Sequence, residues 1–175
     1  YGELSKKSTS SLFDGEYILT TVHRAENTDS RQKLTRIFRE LDVINKKVKV
    51  VMPIHPRTKK YLKHYNIQTE ITLIDPVGYL EMVNLISNSI GVVTDSGGLQ
   101  KEAYFFSKQC FTLRDQTEWV ELIEIGCNSL IDVLNDDISS LILSKVYIEH
   151  NFSKKIYGDG NTSIDIIKAL KKHLN

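Results

Sequence analysis

A doubly wound parallel α/β sheet is the fold this sequence predicts, and three observations carry it. Short apolar runs of strand type recur six times, each handing over to a segment of helical spacing. The runs are continuously apolar rather than alternating, as strands covered on both faces are. The intervening segments are long enough for the crossover helices that parallel strands require.

The elements follow in order. Residues 1–15 carry Ser and Lys clusters with little apolar periodicity and read as a linker or crossing segment, so the domain is expected over 16–175. Tyr17 to Val22 is the first strand, ending at the polar cluster His23-Arg24-Ala25-Glu26-Asn27. A helix begins near Thr28 to Ser30, where Thr or Ser suits the N-cap, and Leu34, Ile37, Phe38, Leu41 and Ile44 repeat on one face. Val48 to Met52 is the second strand, and Pro56 suits the first turn of a helix running to about His64. Ile71 to Ile74 is the third strand, with a turn at Asp75 to Gly78 and a helix over Tyr79 to Ser87. The fourth strand begins at Gly91, turns on Ser96-Gly97-Gly98 and continues as a helix ending at Lys108. Gln109 to Leu113 is the fifth strand, followed by the polar cluster Arg114 to Glu121 and a short helix ending at Gly126. Ser129 to Val133 is the sixth. Helices over about Asp136 to His150 and Thr162 to Leu174 flank a glycine turn at Tyr157 to Asn161.

Composition narrows the function. The 175 residues suffice for one domain with a sizeable core, and 41% of them are apolar. A formal charge of +1 gives no electrostatic case for nucleic acid or an anionic membrane as partner. No apolar run approaches the roughly 20 residues that span a bilayer. Tyr1 to Ser11 is polar and lacks the apolar core of a signal peptide. Cys110 and Cys127 form no CxxC pair, which argues against a zinc site or disulfide framework and fits the cytoplasm.

The chemistry concentrates in loops after three strands. Ser96-Gly97-Gly98 leaves free N–H groups at a helix N-terminus, where the glycines allow close approach and the helix dipole favours an anion. Glu102, one turn further, is suited to accept two sugar hydroxyls. Together they suggest a nucleotide site, with diphosphate at the turn and ribose at Glu102. In a doubly wound sheet, His23 to Asn27, Ser96 to Glu102 and Arg114 to Glu118 meet at one edge. His23 suits a phosphate donor or a proton-transfer group, since an imidazole titrates near 6.5, and equally suits a loop cap. Arg24 suits an ion pair with Glu26. His55 suits a ligand contact or a backbone-satisfied loop position. Arg114 suits a pair with Asp115 or Glu118 as well as a phosphate. Trp119 reads as core rather than ligand platform. Asp95 has no second acidic residue at metal-ligand spacing, so no metal is expected. The GxGxxG and GxxxxGK[ST] patterns are absent, which counts against dinucleotide and P-loop sites, and no cofactor is expected.

At these residues the sequence resembles the non-hydrolysing UDP-N-acetylglucosamine 2-epimerases. The matching stretches are His23 to Asn27, Pro53-Ile54-His55-Pro56-Arg57-Thr58, Thr94 to Ala103, Arg114 to Glu118 and Tyr157-Gly158-Asp159-Gly160. The resemblance implies the C-terminal, Rossmann-like half of a GT-B fold, with the N-terminal domain absent from this chain. It implies UDP elimination with loss of the C2 proton, then re-addition after protonation on the other face. Ser96, Gly97 and Gly98 would donate to the phosphates and Glu102 would accept from ribose. Val77 and Met82 would line the uracil pocket, and Arg114 would contact UDP. His23 would stabilise charge on the departing UDP. Arg24 and His55 match positions near an effector site of some bacterial members. The resemblance further implies a cytoplasmic homodimer when full length, with the proton-moving carboxylates in the missing domain. Two stretches depart from the family pattern. Ser107-Lys108-Gln109 replaces a common Gly-Lys-Pro, and Trp119 stands where some members have an Arg that reaches UDP. The Thr-Glu-Trp version also resembles relatives acting on diacetamido-uronic sugar nucleotides. A hydrolysing 2-epimerase, a GT-B glycosyltransferase and a non-catalytic UDP-sugar-binding subunit are the competing readings.

Overall fold

The computed structural model describes Phe13 and residues 15–148, 150–152, 154, 156–158 and 160–174. The linker expected over 1–15 lies outside the described residues apart from Phe13 and Gly15.

Six strands form one all-parallel sheet: β1 (Tyr17–Thr21), β2 (Lys49–Pro53), β3 (Thr72–Ile74), β4 (Gly91–Thr94), β5 (Gln109–Thr112) and β6 (Asn128–Leu130). Their order is β3-β2-β1-β4-β5-β6. β1 pairs with β2 on one side through Ile18↔Val50 and with β4 on the other through Leu19↔Val92. The helices are α1 (Ala25–Thr28), α2 (Arg31–Asn45), α3 (Pro56–Tyr65), α4 (Tyr79–Asn88), α5 (Gly97–Phe105), α6 (Val120–Glu124), α7 (Ile138–Lys145) and α8 (Thr162–Leu174).

The apolar character of the strands follows from burial on both faces. Successive side chains alternate, so Ile18, Val50, Met52, Val93 and Phe111 face one layer. That layer is α2, through Leu34, Ile37, Phe38, Leu41 and Ile44, together with Leu62 of α3 and Ile138 and Ile142 of α7. Tyr17, Leu19, Val51, Val92 and Cys110 face the other, made by Leu85 and Ile86 of α4 and Leu99 and Ala103 of α5. Each such side chain contributes about 1.5–3 kcal/mol on burial. α2 starts where expected, since the Ser30 hydroxyl accepts the Lys33 N–H at 3.3 Å. α3 opens on Pro56, with His55 as its N-cap. Gly91 has a packing reason: a Cβ there would lie 2.8 Å from Val146 Cγ2, just past α7.

The structure departs from expectation at four elements, the first being α5, which ends at Phe105 rather than Lys108, with Ser107 at a left-handed φ of 55°. Residues 25–28 form a single helical turn rather than a loop. β6 lies at Asn128–Leu130 rather than Ser129 to Val133, and only Ile131 extends its ladder, through its N–H to the Thr112 carbonyl. Beyond it, Asp132 accepts the N–H groups of Leu134 and Asn135 and turns the chain. α7 starts at its Asp137 cap and ends at Lys145, well short of His150. The residues that follow, Val146-Tyr147-Ile148, are β-branched or aromatic and would lose χ1 freedom in a helix. Along α8, Ile164, Ile166, Ile167 and Leu170 are each about half exposed. No helix of the described residues is long and apolar enough to cross a membrane.

Candidate functional site

In this strand order the connections leave β1 and β4 in opposite directions. A crevice therefore opens beyond their carboxyl ends, where open α/β sheets bind ligands. A cavity of about 330 Å³ occupies it. Thr21, His23 and His55 line one side, and Ser96, Gly98, Leu99 and Glu102 another. Pro53, Pro76, Val77 and Met82 supply an apolar wall. Of the residues singled out from sequence, His23, His55, Val77, Met82, Ser96, Gly98 and Glu102 thus meet in one cavity. Gly97, Arg24 and Arg114 are not part of its lining.

The loop after β1 is shaped by Asp95, at the end of β4. Its carboxylate is fully buried and accepts the His23 N–H at 3.0 Å and the Arg24 N–H at 2.9 Å. It also accepts the Asn27 side-chain amide at 3.2 Å, and that amide donates to the Leu113 carbonyl at 3.0 Å. The His23 Nδ1 lies 3.6 Å from Asp95 Oδ1. Thr21 and Thr94 join the two strand ends by a hydroxyl pair at 2.7 Å. With its amides turned inward, the loop offers its side chains to the crevice. The His23 ring stacks on His55 with centroids 5.2 Å apart. His55 Nδ1 accepts the Arg57 N–H at 3.1 Å, which leaves Nε2 as the protonated nitrogen of the neutral ring.

The turn after β4 is held differently. Ser96 donates its N–H to the Thr94 hydroxyl at 2.9 Å and leads directly into α5. The Ser96 carbonyl accepts from Gln100 Nε2 at 3.3 Å, and the Gly97 carbonyl from the Trp119 indole N–H at 2.8 Å. Gln100 is wholly buried; its Oε1 accepts from Thr117 at 2.6 Å and from Asn128 at 3.0 Å. The first-turn N–H groups of α5 have no carbonyl of their own helix to meet, so this end suits an anion. Glu102, one turn on, is half-buried, and burial raises its pKa above the usual carboxylate range.

Arg114 turns away to two carboxylates. It donates to Glu118 through both terminal nitrogens, at 2.9 and 3.0 Å, and its Nε lies 3.4 Å from Glu26. The Glu118 pairing draws that carboxyl down to about 2, chiefly through the Arg114 hydrogen bonds. Arg24 lies 4.0 Å from Glu118 rather than pairing with Glu26 as sequence spacing suggested, and it is Arg114 that lies beside Glu26. Trp119 packs beside Tyr104, Leu122 and Cys127, as a core reading expects, but its indole N–H serves the turn.

Sequence reasoning weighed Asp95 only as a metal ligand and passed over Gln100 and Thr117. An acidic residue ending an apolar strand, directly before Ser-Gly-Gly, was the available signal for Asp95. Among the described residues, no group of three or more His, Cys, Asp or Glu is arranged to hold a metal ion. The crevice can take an anion at the α5 N-terminus, a diol at Glu102 and a flat apolar ring against Val77 and Met82. Its imidazoles lie beside the anion position.

Comparison with known proteins agrees with this geometry. The UDP-N-acetylglucosamine 2-epimerase family profile matches residues 2–171. A Pseudomonas aeruginosa UDP-2,3-diacetamido-2,3-dideoxy-D-glucuronate 2-epimerase is 45% identical over 157 residues, covering 89% of this chain and 44% of that protein. A UDP-N-acetylglucosamine 2-epimerase from Methanocaldococcus jannaschii is 36% identical, covering 91% of this chain and 45% of that protein. The crystal structure of the M. jannaschii enzyme with UDP-GlcNAc and UDP superposes with a TM-score of 0.82 at 34% identity, covering 97% of this chain and 49% of that one. The chain thus spans about half the length of the relatives it matches.

Proposed function

The chain belongs to the UDP-N-acetylglucosamine 2-epimerase family, and from that premise we propose that it is the UDP-binding half of a UDP-sugar 2-epimerase. The single observation that carries this is the crevice at the β1–β4 switch point, where a helix N-terminus, Glu102 and two imidazoles line one cavity. In this reading the diphosphate lies on the Ser96–Gly98 turn and the ribose hydroxyls meet Glu102. The uracil lies against Val77 and Met82. His23 donates to the phosphate oxygen that gains charge as UDP leaves, as a group aimed at a developing oxyanion should. UDP is eliminated as the C2 proton departs, and it adds back once the other face has been protonated. UDP-GlcNAc and UDP-ManNAc are interconverted in that way.

The rest belongs to the same proposal. The carboxylates that move the C2 proton lie in an N-terminal domain, so residues 16–175 alone bind UDP without epimerising. The full protein is a homodimer and is cytoplasmic, a compartment that suits the two buried free thiols, Cys110 and Cys127. The exposed apolar stripe of α8 packs against the N-terminal domain. Arg24 and His55 serve an effector, and Arg114 supports the site through Glu118. The greater identity to the P. aeruginosa enzyme favours a second reading, in which the substrate is a diacetamido-uronic sugar nucleotide. Turnover of the two substrates by the full-length protein separates these.

Titration with UDP, followed by two-dimensional amide spectra with NAD as control, tests the binding claim. Shifts confined to 96–102, His23 and the Val77–Met82 wall are expected from UDP and none from NAD. Equal shifts from both, or shifts elsewhere, would overturn the assignment.

A further inference from the structure

The Thr117-Glu118-Trp119 stretch contributes nothing to the cavity lining, yet Trp119 donates to a carbonyl of the neighbouring turn. A trans peptide points its C=O and N–H in opposite directions. The Gly97 carbonyl and the Gly98 N–H are two ends of one such unit. We propose that Trp119 is a positioning residue for diphosphate recognition: its indole N–H holds the Gly97 carbonyl from behind and so aims the Gly98 N–H into the crevice. The inference rests on the nucleotide reading of the crevice and adds the reason its turn is ready for a phosphate.

Three observations support it. The indole bond to Gly97 is short, at 2.8 Å, and reaches across 22 positions of sequence. The indole is itself fixed in place. The Trp119 N–H donates to the Thr117 hydroxyl at 3.1 Å, Lys101 Nζ lies 3.8 Å from the ring centroid, and Tyr157 meets the ring edge-on at 6.2 Å. The same device recurs one peptide earlier, where Gln100 holds the Ser96 carbonyl, the opposite end of the unit that carries the Gly97 N–H. Thr117 joins the two, since its hydroxyl donates to Gln100 Oε1 and thereby turns the Gln100 NH₂ towards Ser96. A donor on a peptide carbonyl also polarises the unit and strengthens its N–H as a donor. Preorganised amides of this kind meet a charged ligand without a further cost of ordering. A residue outside the cavity thus replaces direct contact with indirect aim.

The test uses the full-length protein and Trp119→Phe, which keeps a smaller ring beneath Lys101 and removes the N–H donor. UDP affinity is expected to fall about five-fold, the size of one net hydrogen bond. Uridine, which has no phosphate, should bind the variant as it binds the parent, as followed by amide shifts into the millimolar range. Equal weakening of both ligands, or of neither, overturns the proposal. A second measurement needs no folded variant. The Trp119 indole ¹⁵N–¹H resonance of the parent should move on saturation with UDP and hold still with uridine. An indole that is unmoved by UDP overturns the proposal as well. A parent protein that does not bind UDP fails the nucleotide reading itself, a result distinct from either of these.

Discussion

The two turns that face each other across the switch point are held by groups of opposite polarity. After β1, a buried carboxylate accepts backbone N–H groups, and the loop is left to present side chains. After β4, side-chain donors grip the Ser96 and Gly97 carbonyls, and past the Ser96 N–H, which the Thr94 hydroxyl accepts, the turn is left to present N–H groups. An acceptor behind one loop and donors behind the other therefore decide which part of the chain meets a ligand. The first turn places one imidazole, that of His23, in the cavity lining. The second can place only dipoles that hold an anion. The difference teaches that residue identity in a loop says little about function until the groups behind it are known.

The largest effect should come from removing the acceptor. Asp95→Ala leaves the His23 and Arg24 N–H groups and the Asn27 amide without their buried partner. It should cost about 4 kcal/mol in urea unfolding, since each orphaned donor carries its own desolvation penalty. A loss under about 1 kcal/mol would mean that the β1 turn is held by something else.

A smaller effect sharpens the contrast on the other turn. A Cβ on Gly98 would meet nothing within 4 Å, so Gly98→Ala is tolerated by the fold. It lies in the first turn of α5 and should gain about 0.5–1 kcal/mol of stability in thermal unfolding. Its methyl projects where an anion approaches, so UDP affinity should fall about ten-fold, an overpacking cost of about 1.4 kcal/mol. A variant that is more stable and binds UDP as well as the parent would show that the anion does not use this backbone.

The smallest effect concerns the clasp between the turns. Arg114 bridges Glu26, beside the β1 turn, and Glu118, beside Trp119. The Glu118 carboxyl is depressed from 4.5 to about 2 in the folded protein. Its contribution is therefore present above pH 4.5 and is lost as the pH falls towards 2. Glu118 is largely solvent-exposed, so Glu118→Gln should cost under about 1 kcal/mol at neutral pH. The gap between parent and variant should narrow as the pH is lowered from 4.5. A gap independent of pH would assign the clasp to packing rather than charge.

These outcomes bear on what the sequence made legible. The strands and the α2 stripe are periodic signals of short range, and apart from β6 the structure places them within a residue or two. Ser96-Gly97-Gly98 and Glu102 were readable because a turn and a helix N-terminus are local chemistry. Asp95 was not, because its partners lie 71 and 72 positions earlier, and only the pairing of β4 beside β1 brings them together. Arg114 was readable as either an ion pair or a phosphate contact; its choice of Glu118 and Glu26 depends on two loops of different strands. Trp119 read as a packing residue because hydrophobicity dominates an indole, while its one polar atom found a carbonyl 22 residues away. The early end of α7 depended on weak propensities summed over three residues.

The strand order also sets a timetable. Of the six strands β1 is made first, but it gains its second neighbour only with β4, after two further strands and four helices have been synthesised. Asp95 closes the first turn, and Trp119 reaches the second later still. A nascent chain that has emerged only as far as β3 holds His23 and His55 but has no crevice to put them in. The crevice lining is complete only once β4 and α5 have been made, so a ligand bound there cannot help the first three strands to form. It can reward only a chain whose centre is already in place.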